Sequence, residues 1–290
     1  MLLNLQEETR DGYTISAEMK KVWQVEIDIM LKIFEVCKKH NLRCWLDGGT
    51  LLGAVRHKGF IPWDDDIDLI MPRADYDKLC AVASQEFTHP YFFQTTFTDK
   101  GYITGHAQVR NSMTATLGKG DEKKAFNCGI PVDIFILDAV PKSKVSQFLQ
   151  RTATMVLKKT IRASFTPGSE QRKTGKKILS IFSKGLYFLL PYQTAFRWFE
   201  DLFRSVSVEK SSHLATLSFR YTLRRFVFPK EAYSDTVYLD FEGMQLPAPA
   251  GYKDVLIGSY GPDYMTPMKA PSMHGERMYD TEKSYLEYRK

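Results

Sequence analysis

The sequence predicts an α+β protein, with a mixed α/β core sheet and flanking helices, and three observations indicate this class. Residues 17–41 repeat apolar side chains at steps of three and four, which is typical of an amphipathic helix. The runs 67–71 and 132–137 are apolar, have the length of strands, and are each entered or interrupted by aspartate. Segments of both kinds alternate along residues 1–141, so we expect one core that combines helices with a sheet.

The composition is that of a folded chain with more than one part. Its 290 residues are 43% hydrophobic and 26% charged, which excludes disordered, collagen-like and coiled-coil classes. We expect a core over 1–141 and a basic, mainly helical region over 142–225. A C-terminal segment over 226–290 should pack on the core.

The cysteine, histidine and hydropathy patterns limit the possible sites and compartments. The four cysteines form no C-x-x-C pair and the six histidines no H-E-x-x-H motif. We therefore expect reduced thiols and no dedicated zinc site, while a hard cation stays open. No stretch approaches the roughly 18–20 apolar residues of a spanning helix, and the first residues turn acidic before a signal peptide develops. We expect a cytoplasmic protein, with a peripheral position on the inner face of the plasma membrane as an option.

Positive charge is concentrated in one part of the chain. Between Lys142 and Lys184 eleven Lys/Arg stand against one acid, Glu170, although the whole chain has a net charge of only +6. The apolar run 178–190 overlaps the end of this block and is too short to span a bilayer. Basic residues before such a run are typical of an interfacial helix on an anionic leaflet, but a core helix beside a solvated basic face explains the pattern equally well. No nucleic-acid partner is expected.

The first elements place a glycine pair between a strand and a helix. Ser16 is a suitable cap for the first helix. A strand over 42–46 follows, and Gly48 and Gly49 interrupt the chain before a second helix begins at Thr50. Glycine without Cβ lets backbone N–H groups approach a phosphate, and the helix start adds a positive dipole end. The sequence therefore predicts a phosphate-compatible corner here.

Later segments complete the predicted core. Asp75 can cap a helix over 76–85, directly after an apolar strand. The remaining apolar runs have strand length and are separated by turn residues. The predicted strands of this part cover 67–71, 91–96, 106–110 and 132–137.

Carboxylates cluster in the run 63–71, Trp-Asp-Asp-Asp-Ile-Asp-Leu-Ile-Met. Side chains alternate along a strand, so Asp66 and Asp68 should project to one side while their apolar neighbours enter the core. Two carboxylates in one small volume repel each other unless a divalent cation neutralises them, and their oxygen atoms suit Mg²⁺ or Mn²⁺. A solvated acidic turn is the alternative, but charge embedded in an apolar run favours the metal site. An EF-hand fails because Leu69 stands where glycine is required.

Asp133 is the expected third carboxylate, because it interrupts the apolar run 132–137. Alone it could be a buried acid with satisfied hydrogen bonds. With Asp66 and Asp68 it completes a two-metal site, where one cation activates an attacking hydroxyl and the other holds a diphosphate. Arg56 and Arg110 are candidates to balance phosphate charge, or else surface cations without that role.

Together these motifs resemble a known family. Residues 45–69 and 71–76 resemble the acidic motif of the LicD phosphocholine transferases, relatives of the fukutin-type ribitol-phosphate transferases. Residues 128–135 are similar to the family's third-carboxylate element, while 142–225 matches only loosely. The resemblance implies a nucleotidyltransferase-like core sheet with a helical insertion and a C-terminal closing segment. The family's closing motif is similar to 247–252, 260–267 and His274.

The resemblance implies metal-dependent transfer of phosphocholine from CDP-choline to a sugar hydroxyl of a cell-surface glycan precursor, with release of CMP. In bacteria the acceptor is a teichoic-acid, capsule or lipopolysaccharide unit, either lipid-linked or free. Carried over, the metal ligands are Asp66, Asp68 and Asp133, and Asp133 is also the candidate base. Asp64 would support the ligands from behind, and Asp47 has no assigned role. The donor phosphates would contact Gly48, Gly49, Thr50, Arg56 and Arg110.

Recognition of choline would use aromatic faces, which attract a quaternary ammonium. The matched motifs offer four aromatic candidates, each equally suited to core packing or a lid contact. Three other functions stay open: transfer of ribitol phosphate, a D-x-D glycosyltransferase for nucleotide sugars, and a membrane-surface scaffold. A glycosyltransferase of that type usually has a longer nucleotide-binding half before its D-x-D motif than this chain has. The aromatic candidates are Trp45, Trp63, Tyr260 and Tyr264.

Overall fold

The computed structural model describes residues 2–163, 191–221, 223, 226–268 and 277–289. The predicted α+β class is confirmed: six α-helices and mixed sheets form the described chain, and the largest sheet has seven strands. The helices are α1 (Ala17–Lys39), α2 (Gly48–His57), α3 (Arg73–Glu86), α4 (Lys144–Ala163), α5 (Tyr192–Arg204) and α6 (Tyr252–Tyr260). The strands are β1 (Glu8–Arg10), β2 (Tyr13–Ile15), β3 (Trp45–Leu46), β4 (Asp68–Pro72), β5 (Tyr91–Gln94), β6 (Ala107–Asn111), β7 (Ala115–Leu117), β8 (Ile130–Ala139), β9 (His213–Ala215), β10 (Val227–Pro229), β11 (Thr236–Phe241), β12 (Met244–Pro249) and β13 (Met278–Asp280).

The ten-residue strand β8 is the centre of the large sheet. On one side it pairs in parallel with β4, with Asp133 opposite Asp68. On the other side its first half pairs antiparallel with β6 and its end pairs antiparallel with β9. Strand β3 extends the sheet beyond β4, β5 extends it beyond β6, and β10 extends it beyond β9. The strands predicted from the sequence all occur in this sheet. In the predicted strand 42–46, only the last two residues are paired, as β3.

Helix α1 covers the sheet and carries much of the core. Its cap is as predicted: Ser16 Oγ accepts a hydrogen bond from the Met19 amide at 3.2 Å. The buried face includes Trp23, Ile27 and Met30, which are shielded from solvent almost completely. Burying side chains of this size stabilises the fold by about 1.5–3 kcal/mol each, so this face fixes α1 on the sheet.

Two helices begin earlier than the sequence predicts. Helix α2 starts at Gly48 instead of Thr50, so the glycine pair forms its first turn. Helix α3 starts at Arg73, and its cap is Pro72 instead of Asp75. The Asp75 carboxylate lies within the first turn, where it accepts a hydrogen bond from Arg43 Nε at 2.7 Å. An acid in the first turn still stabilises a helix through its dipole, which is why the residue type alone did not fix the start.

The basic region contributes a second cluster of buried side chains, between α4, α5 and the loop after β9. Ile161 packs there with Phe196, Phe199, Phe203 and Leu217. This part of 142–225 is mainly helical where the structure describes it, with β9 as an exception. The predicted interfacial run 178–190 and the basic residues from 172 to 184 lie outside the described residues. In the described part of the chain, no helix combines the length and apolar character needed to cross a bilayer.

The C-terminal segment packs against the core. The hairpin of β11 and β12 lies on β3, and α6 lies on α2. Trp45 Nε1 donates to Thr236 Oγ1 at 2.8 Å, which joins β3 to this hairpin. Strand β13 pairs antiparallel with β7. Residues far apart along the chain, such as Ile15 and Leu256, therefore belong to one hydrophobic cluster.

Candidate functional site

A cavity of about 480 Å³ opens where β4, β8, the start of α2 and α6 meet. Its walls combine carboxylates, aromatic rings and two arginines. The carboxylates are Asp47, Asp64, Asp65, Asp66, Asp68 and Asp133, and the arginines are Arg56 and Arg220. The rings are Trp63, Phe135, Phe219, Phe226, Tyr260 and Tyr264.

Asp68 and Asp133 reach this cavity because they are partners in the parallel register of β4 and β8. Their neighbours Leu69 and Ile134 are fully buried on the opposite face, which fixes the direction of both carboxylates. Asp68 Oδ1 is shielded from solvent and has no hydrogen-bond partner among the described residues. Burial raises the pKa of Asp68 well above its ordinary value, and the charges of Asp66 and Asp133 raise it further. This carboxylate is therefore unstable as an anion without a cation beside it.

Asp133 has a different environment from Asp68. The side-chain amide of Gln108 donates to Asp133 Oδ1, and His106 Nε2 lies 3.6 Å from the same atom. Burial alone would raise the pKa of Asp133, but His106 and Gln108 outweigh it, so the pKa lies below its ordinary value. Asp133 is thus stabilised as the ionised carboxylate of the pair.

Asp66 enters the cavity by a different route from the one that the sequence predicts. Strand β4 begins at Asp68, so Asp66 lies in the segment before the strand and strand alternation does not position it. One carboxylate oxygen each of Asp64, Asp65 and Asp66 lies within 4.8 Å of the others. Asp66 therefore lines the same cavity as Asp68 and Asp133 but is grouped most closely with its two preceding neighbours. Asp65, which the sequence analysis did not single out, accepts from Tyr279 Oη at 2.8 Å.

The glycine pair makes room for the acidic groups. Gly48 has a positive φ of 53°, and a Cβ there would overlap Asp68 Oδ2. A Cβ on Gly49 would overlap Asp64 Oδ2. A side chain at either position would displace the start of α2 or the carboxylate that it meets, so the present close approach depends on glycine. The amide end of α2 consequently faces the same cavity as the acids.

Two of the predicted phosphate contacts have other roles in the structure. Thr50 is buried, and its Oγ1 accepts from the Asp68 amide at 2.8 Å, so it fixes the start of β4. Arg110 is also buried and does not line the cavity; its guanidinium donates to Gln94, to the Gly129 carbonyl and to Gln108. Arg110 therefore holds the Gln108 side chain that donates to Asp133. The sequence suggested Arg110 and Thr50 as phosphate contacts because a guanidinium and a hydroxyl can bind phosphate. In the structure both side chains instead support the residues that carry the site, Arg110 through Gln108 and Thr50 through the Asp68 amide.

The arginines that do line the cavity are Arg56 and Arg220. Arg56 Nη1 donates to the Tyr264 carbonyl at 3.0 Å, which connects α2 to the C-terminal segment. Burial lowers the pKa of Arg56, although its guanidinium stays charged because the ordinary value is so high. Arg220 lies over the rings of Phe219 and Phe226, each at 5.9 Å from the ring centre. Nothing in the local sequence marks Arg220, because it reaches the cavity from a separate segment.

The aromatic candidates divide into two groups. Trp63, Tyr260 and Tyr264 line the cavity as side chains available to a ligand. Trp45 is 1% exposed and packs on Tyr233 in the core, so it has no contact with the cavity. Phe135 was missed, although it follows Asp133 by two positions on β8 and must share its face.

Glu26 is a further carboxylate that the sequence analysis missed. It lies on the buried face of α1 at 1% exposure, and its Oε2 has no partner among the described residues. Burial raises the pKa of Glu26 well above its ordinary value, with additional contributions from the charges of Asp66 and Asp65. Trp23 Nε1, three positions earlier, donates to the Asp64 carbonyl at 3.1 Å. The sequence did contain a signal for this residue, because Glu26 is an acid that lies three positions after Trp23 on the apolar face of the helix.

The residues present fit a hard divalent cation. Six carboxylates face two arginines around one cavity, and Asp68 Oδ1 is a buried oxygen that lacks a donor in the described chain. Such an excess of negative charge is costly unless a cation compensates it. All of these groups offer oxygen ligands, which Mg²⁺ and Mn²⁺ prefer. Asp47 adds to the acidic surroundings, and burial raises its pKa to about 6.

The sequence is similar to a family of nucleotidyltransferase domains and to several known proteins. Residues 41–126 match the family described as LicD/FKTN/FKRP, nucleotidyltransferase domain. The chain is 28% identical over 276 residues to the lipopolysaccharide cholinephosphotransferase LicD of Haemophilus influenzae, which covers 90% of this chain and 95% of that protein. It is 56% identical over 34 residues to the human ribitol 5-phosphate transferase FKRP, which covers 12% of this chain and 7% of that protein. A third relative, the uncharacterized protein RP689 of Rickettsia prowazekii, is 40% identical over 110 residues, or 36% of this chain and 37% of that protein.

Proposed function

We propose that this chain is a LicD-type phosphotransferase, in keeping with its similarity to the LicD/FKTN/FKRP nucleotidyltransferase family, and that it transfers phosphocholine from CDP-choline to a sugar hydroxyl, releasing CMP. The acceptor is a cell-surface glycan precursor, namely a teichoic-acid, capsule or lipopolysaccharide unit. The observation that carries the proposal is the pairing of Asp68 with Asp133 beside the glycine start of α2. It supports the proposal because carboxylates that could hold a cation lie next to backbone amides that could bind a phosphate.

In this proposal Asp66, Asp68 and Asp133 hold the cation, with Asp64 and Asp65 beside them. When bound, Mg²⁺ or Mn²⁺ neutralises the diphosphate of the donor and lowers the pKa of the attacking hydroxyl. The orphaned Oδ1 of Asp68 supports this assignment, because it lacks any other described partner.

The protein groups around the donor orient its phosphates for attack. The amide end of α2, beginning at Gly48 and Gly49, faces the diphosphate, and Arg56 supplies a positive charge from the same helix. The acceptor oxygen forms a bond to the phosphorus of the phosphocholine group, and the bond from that phosphorus to the CMP oxygen breaks. The electron pair of that bond leaves with CMP.

Asp133 is the group that accepts the proton from the acceptor hydroxyl. His106 and Gln108 outweigh the effect of burial and hold its pKa below the ordinary value, so the carboxylate is in the ionised form that can accept a proton, although the lowered pKa makes it a weak base. Gln108 is itself held by Arg110. A base fixed in this way keeps one oxygen directed at the cavity.

Choline recognition in this proposal relies on the aromatic walls of the cavity. Trp63, Tyr260 and Tyr264 line the cavity together with several carboxylates. A quaternary ammonium cannot donate a hydrogen bond, so ring faces and diffuse negative charge are suited to it, at about 0.5–2 kcal/mol for each ring.

Transfer of ribitol phosphate is the second candidate, supported by the 34-residue likeness to FKRP. A polyol requires several hydrogen-bond partners at its hydroxyls, whereas Phe135, Phe219 and Phe226 give one part of the cavity an apolar wall. That wall favours the trimethylammonium group of choline over ribitol.

A donor comparison tests the proposal. The purified protein is incubated with Mg²⁺, a glycan acceptor and either CDP-choline or CDP-ribitol, and CMP is measured. The proposal requires acceptor-dependent CMP release from CDP-choline that a chelator abolishes. Release from CDP-ribitol alone would move the assignment to the second candidate. Both candidates would be rejected if the folded protein released CMP from neither donor and bound neither nucleotide.

A further inference from the structure

Helix α4 (Lys144–Ala163) exposes a row of large apolar side chains. Val145 and Phe148 are each 68% exposed, Leu149 is 61% exposed and Val156 is 57% exposed. At 3.6 residues per turn these positions lie along one side of the helix. Isolated apolar residues are common on protein surfaces, but several on one side of one helix form the kind of patch that interaction surfaces use.

The opposite side of α4 is the side that packs on the protein. Gln150 is buried, and its Nε2 donates to the Leu202 carbonyl of α5 at 2.7 Å. Thr154 and Ile161 are buried on the same side, and Ile161 packs with the phenylalanines of α5. Among the described residues, α4 packs on the protein through this side alone, and the apolar row lies on the opposite side of the helix.

The charges of α4 have a single sign. The helix contains five basic residues and no aspartate or glutamate. Four of the five are exposed; Lys144, Arg151 and Arg162 follow one edge of the apolar row, and Lys159 lies within it. An exposed apolar row with a basic edge is the pattern of a helix that lies in the headgroup region of an anionic membrane.

We propose that this face of α4 binds an anionic phospholipid surface, with its apolar row inserted among the lipids and its basic residues at the headgroups. A second copy of the chain fits less well, because pairing the two faces would set like charges against each other. The surface is defined by described side chains and does not depend on the run 178–190.

The position of α4 relates this surface to the transferase site, and this step rests on the proposed function. A second, smaller cavity between α4 and α5 is lined by Lys158, Arg162, Phe199 and Phe219. Phe219 also lines the large cavity with Asp133, so the two cavities are neighbours. An acceptor that is anchored in the membrane by a lipid would approach the site past these two basic residues.

Vesicle flotation tests the lipid surface without any enzyme assay. The full chain is mixed with vesicles of equal parts phosphatidylcholine and phosphatidylglycerol, or of phosphatidylcholine alone. Phe148→Glu/Leu149→Glu should weaken binding to the anionic vesicles by more than about tenfold, because two inserted side chains become charged. Leu2→Glu/Leu286→Glu is the matched control with the same change of net charge, since Leu2 is 84% and Leu286 54% exposed away from α4, and it should bind like the natural chain.

A second set of variants tests the charge. Lys144→Gln/Arg151→Gln/Lys159→Gln should weaken binding to the anionic vesicles by about a hundredfold, and binding of the natural chain should fall as salt rises. The control removes three exposed lysines elsewhere, Lys38→Gln/Lys119→Gln/Lys253→Gln, with the same change of net charge. Equal losses in both triple variants would overturn the proposal, because general charge attraction would then explain the binding.

Two other outcomes would also overturn it. A change in oligomeric state of the double glutamate variant, with unchanged vesicle binding, would assign the row to a second copy. A lower midpoint of thermal unfolding (Tm) in that variant, again with unchanged vesicle binding, would assign the row to another segment of the chain. CMP release with a lipid-free acceptor should be equal in all of these variants, so a failure of the lipid surface stays distinct from a failure of the transferase assignment.

Discussion

Asp68 and Asp133 lie side by side in register on two parallel strands, yet their pKa values are displaced in opposite directions. Burial and neighbouring acids raise the pKa of Asp68, whereas His106 and Gln108 hold the pKa of Asp133 below its ordinary value. The two carboxylates therefore have different surroundings despite their equivalent backbone positions. This difference is the structural reason for assigning proton acceptance to Asp133.

The first prediction concerns the glycine that touches the acidic site. Gly48→Ala should lower CMP release by more than about tenfold and destabilise the protein by about 1–3 kcal/mol, because its φ is positive and its new Cβ would overlap Asp68. Steady-state kinetics and urea unfolding measure the two effects.

Gly120→Ala is the control for Gly48→Ala. Gly120 also has a positive φ, at 88°, but a Cβ there meets no atom within 4 Å. This variant should lose about 1 kcal/mol of stability and keep its activity. Equal activity losses in the two alanine variants would show that the close approach to Asp68 is irrelevant.

The second prediction separates Arg110 from the donor phosphates. Arg110→Gln should lower kcat while leaving KM for the nucleotide donor unchanged, because the guanidinium holds Gln108 and has no place in the cavity wall. The loss of hydrogen bonds from a buried charged group should also cost about 2–3 kcal/mol of stability. Arg56→Gln is the comparison, and it should raise KM. A raised donor KM in Arg110→Gln with unchanged kcat would restore the phosphate contact that the sequence indicated.

The third prediction concerns stability and pH at the antiparallel hairpin that β1 and β2 form near the start of the chain. Glu8 accepts from Arg10 and Lys20, and Arg10 also binds Glu242 of the β11–β12 turn. The hydrogen bond from Arg10, helped by Lys20, lowers the pKa of Glu8 to about 2. A lowered folded-state pKa means that the contribution of Glu8 is complete above its ordinary value of 4.5 and is lost as the pH falls towards 2.

Glu8→Gln measures this contribution. At about pH 7 the variant should be less stable by about 1 kcal/mol, well below the full value of the pKa shift because the side chain is one-third exposed. The difference should shrink as the pH falls below 4.5 and vanish near pH 2. Urea unfolding over this range is the measurement, and a constant difference at every pH would contradict the ion-pair assignment.

The sequence predicted the parts of the site that depend on local patterns. The alternation of Asp133 with buried apolar residues on β8 determines its face, and the glycine pair marks a close approach that other residues cannot make. Asp68 follows from the same alternation on β4. These predictions needed only the period of a strand and the size of a side chain.

Other parts of the site depend on tertiary packing that no local pattern encodes. Arg110 and Thr50 have the chemistry of phosphate ligands, but their neighbours in space determine that they support Asp133 and Asp68 instead. Trp45 has the chemistry of a choline contact and lies in the core. Arg220 enters the cavity from a distant segment, and its position could be known only from the fold.

The central claim is that Asp68 and its neighbours hold a divalent cation for phosphocholine transfer, and Asp68→Asn tests it most directly. The measurement is Tm with and without Mg²⁺, together with CMP release from CDP-choline, in this variant and in Asp240→Asn, which changes an exposed aspartate of β11. In the natural chain and in Asp240→Asn, Mg²⁺ at about 100 times its Kd should add about 2.7 kcal/mol of stability. In Asp68→Asn that gain should disappear and CMP release should fall by more than about 10²-fold. Tm without metal should not decrease, because the change removes the acidic group of a residue whose buried Oδ1 has no donor among the described residues. A full Mg²⁺ gain and undiminished CMP release in Asp68→Asn would contradict the account.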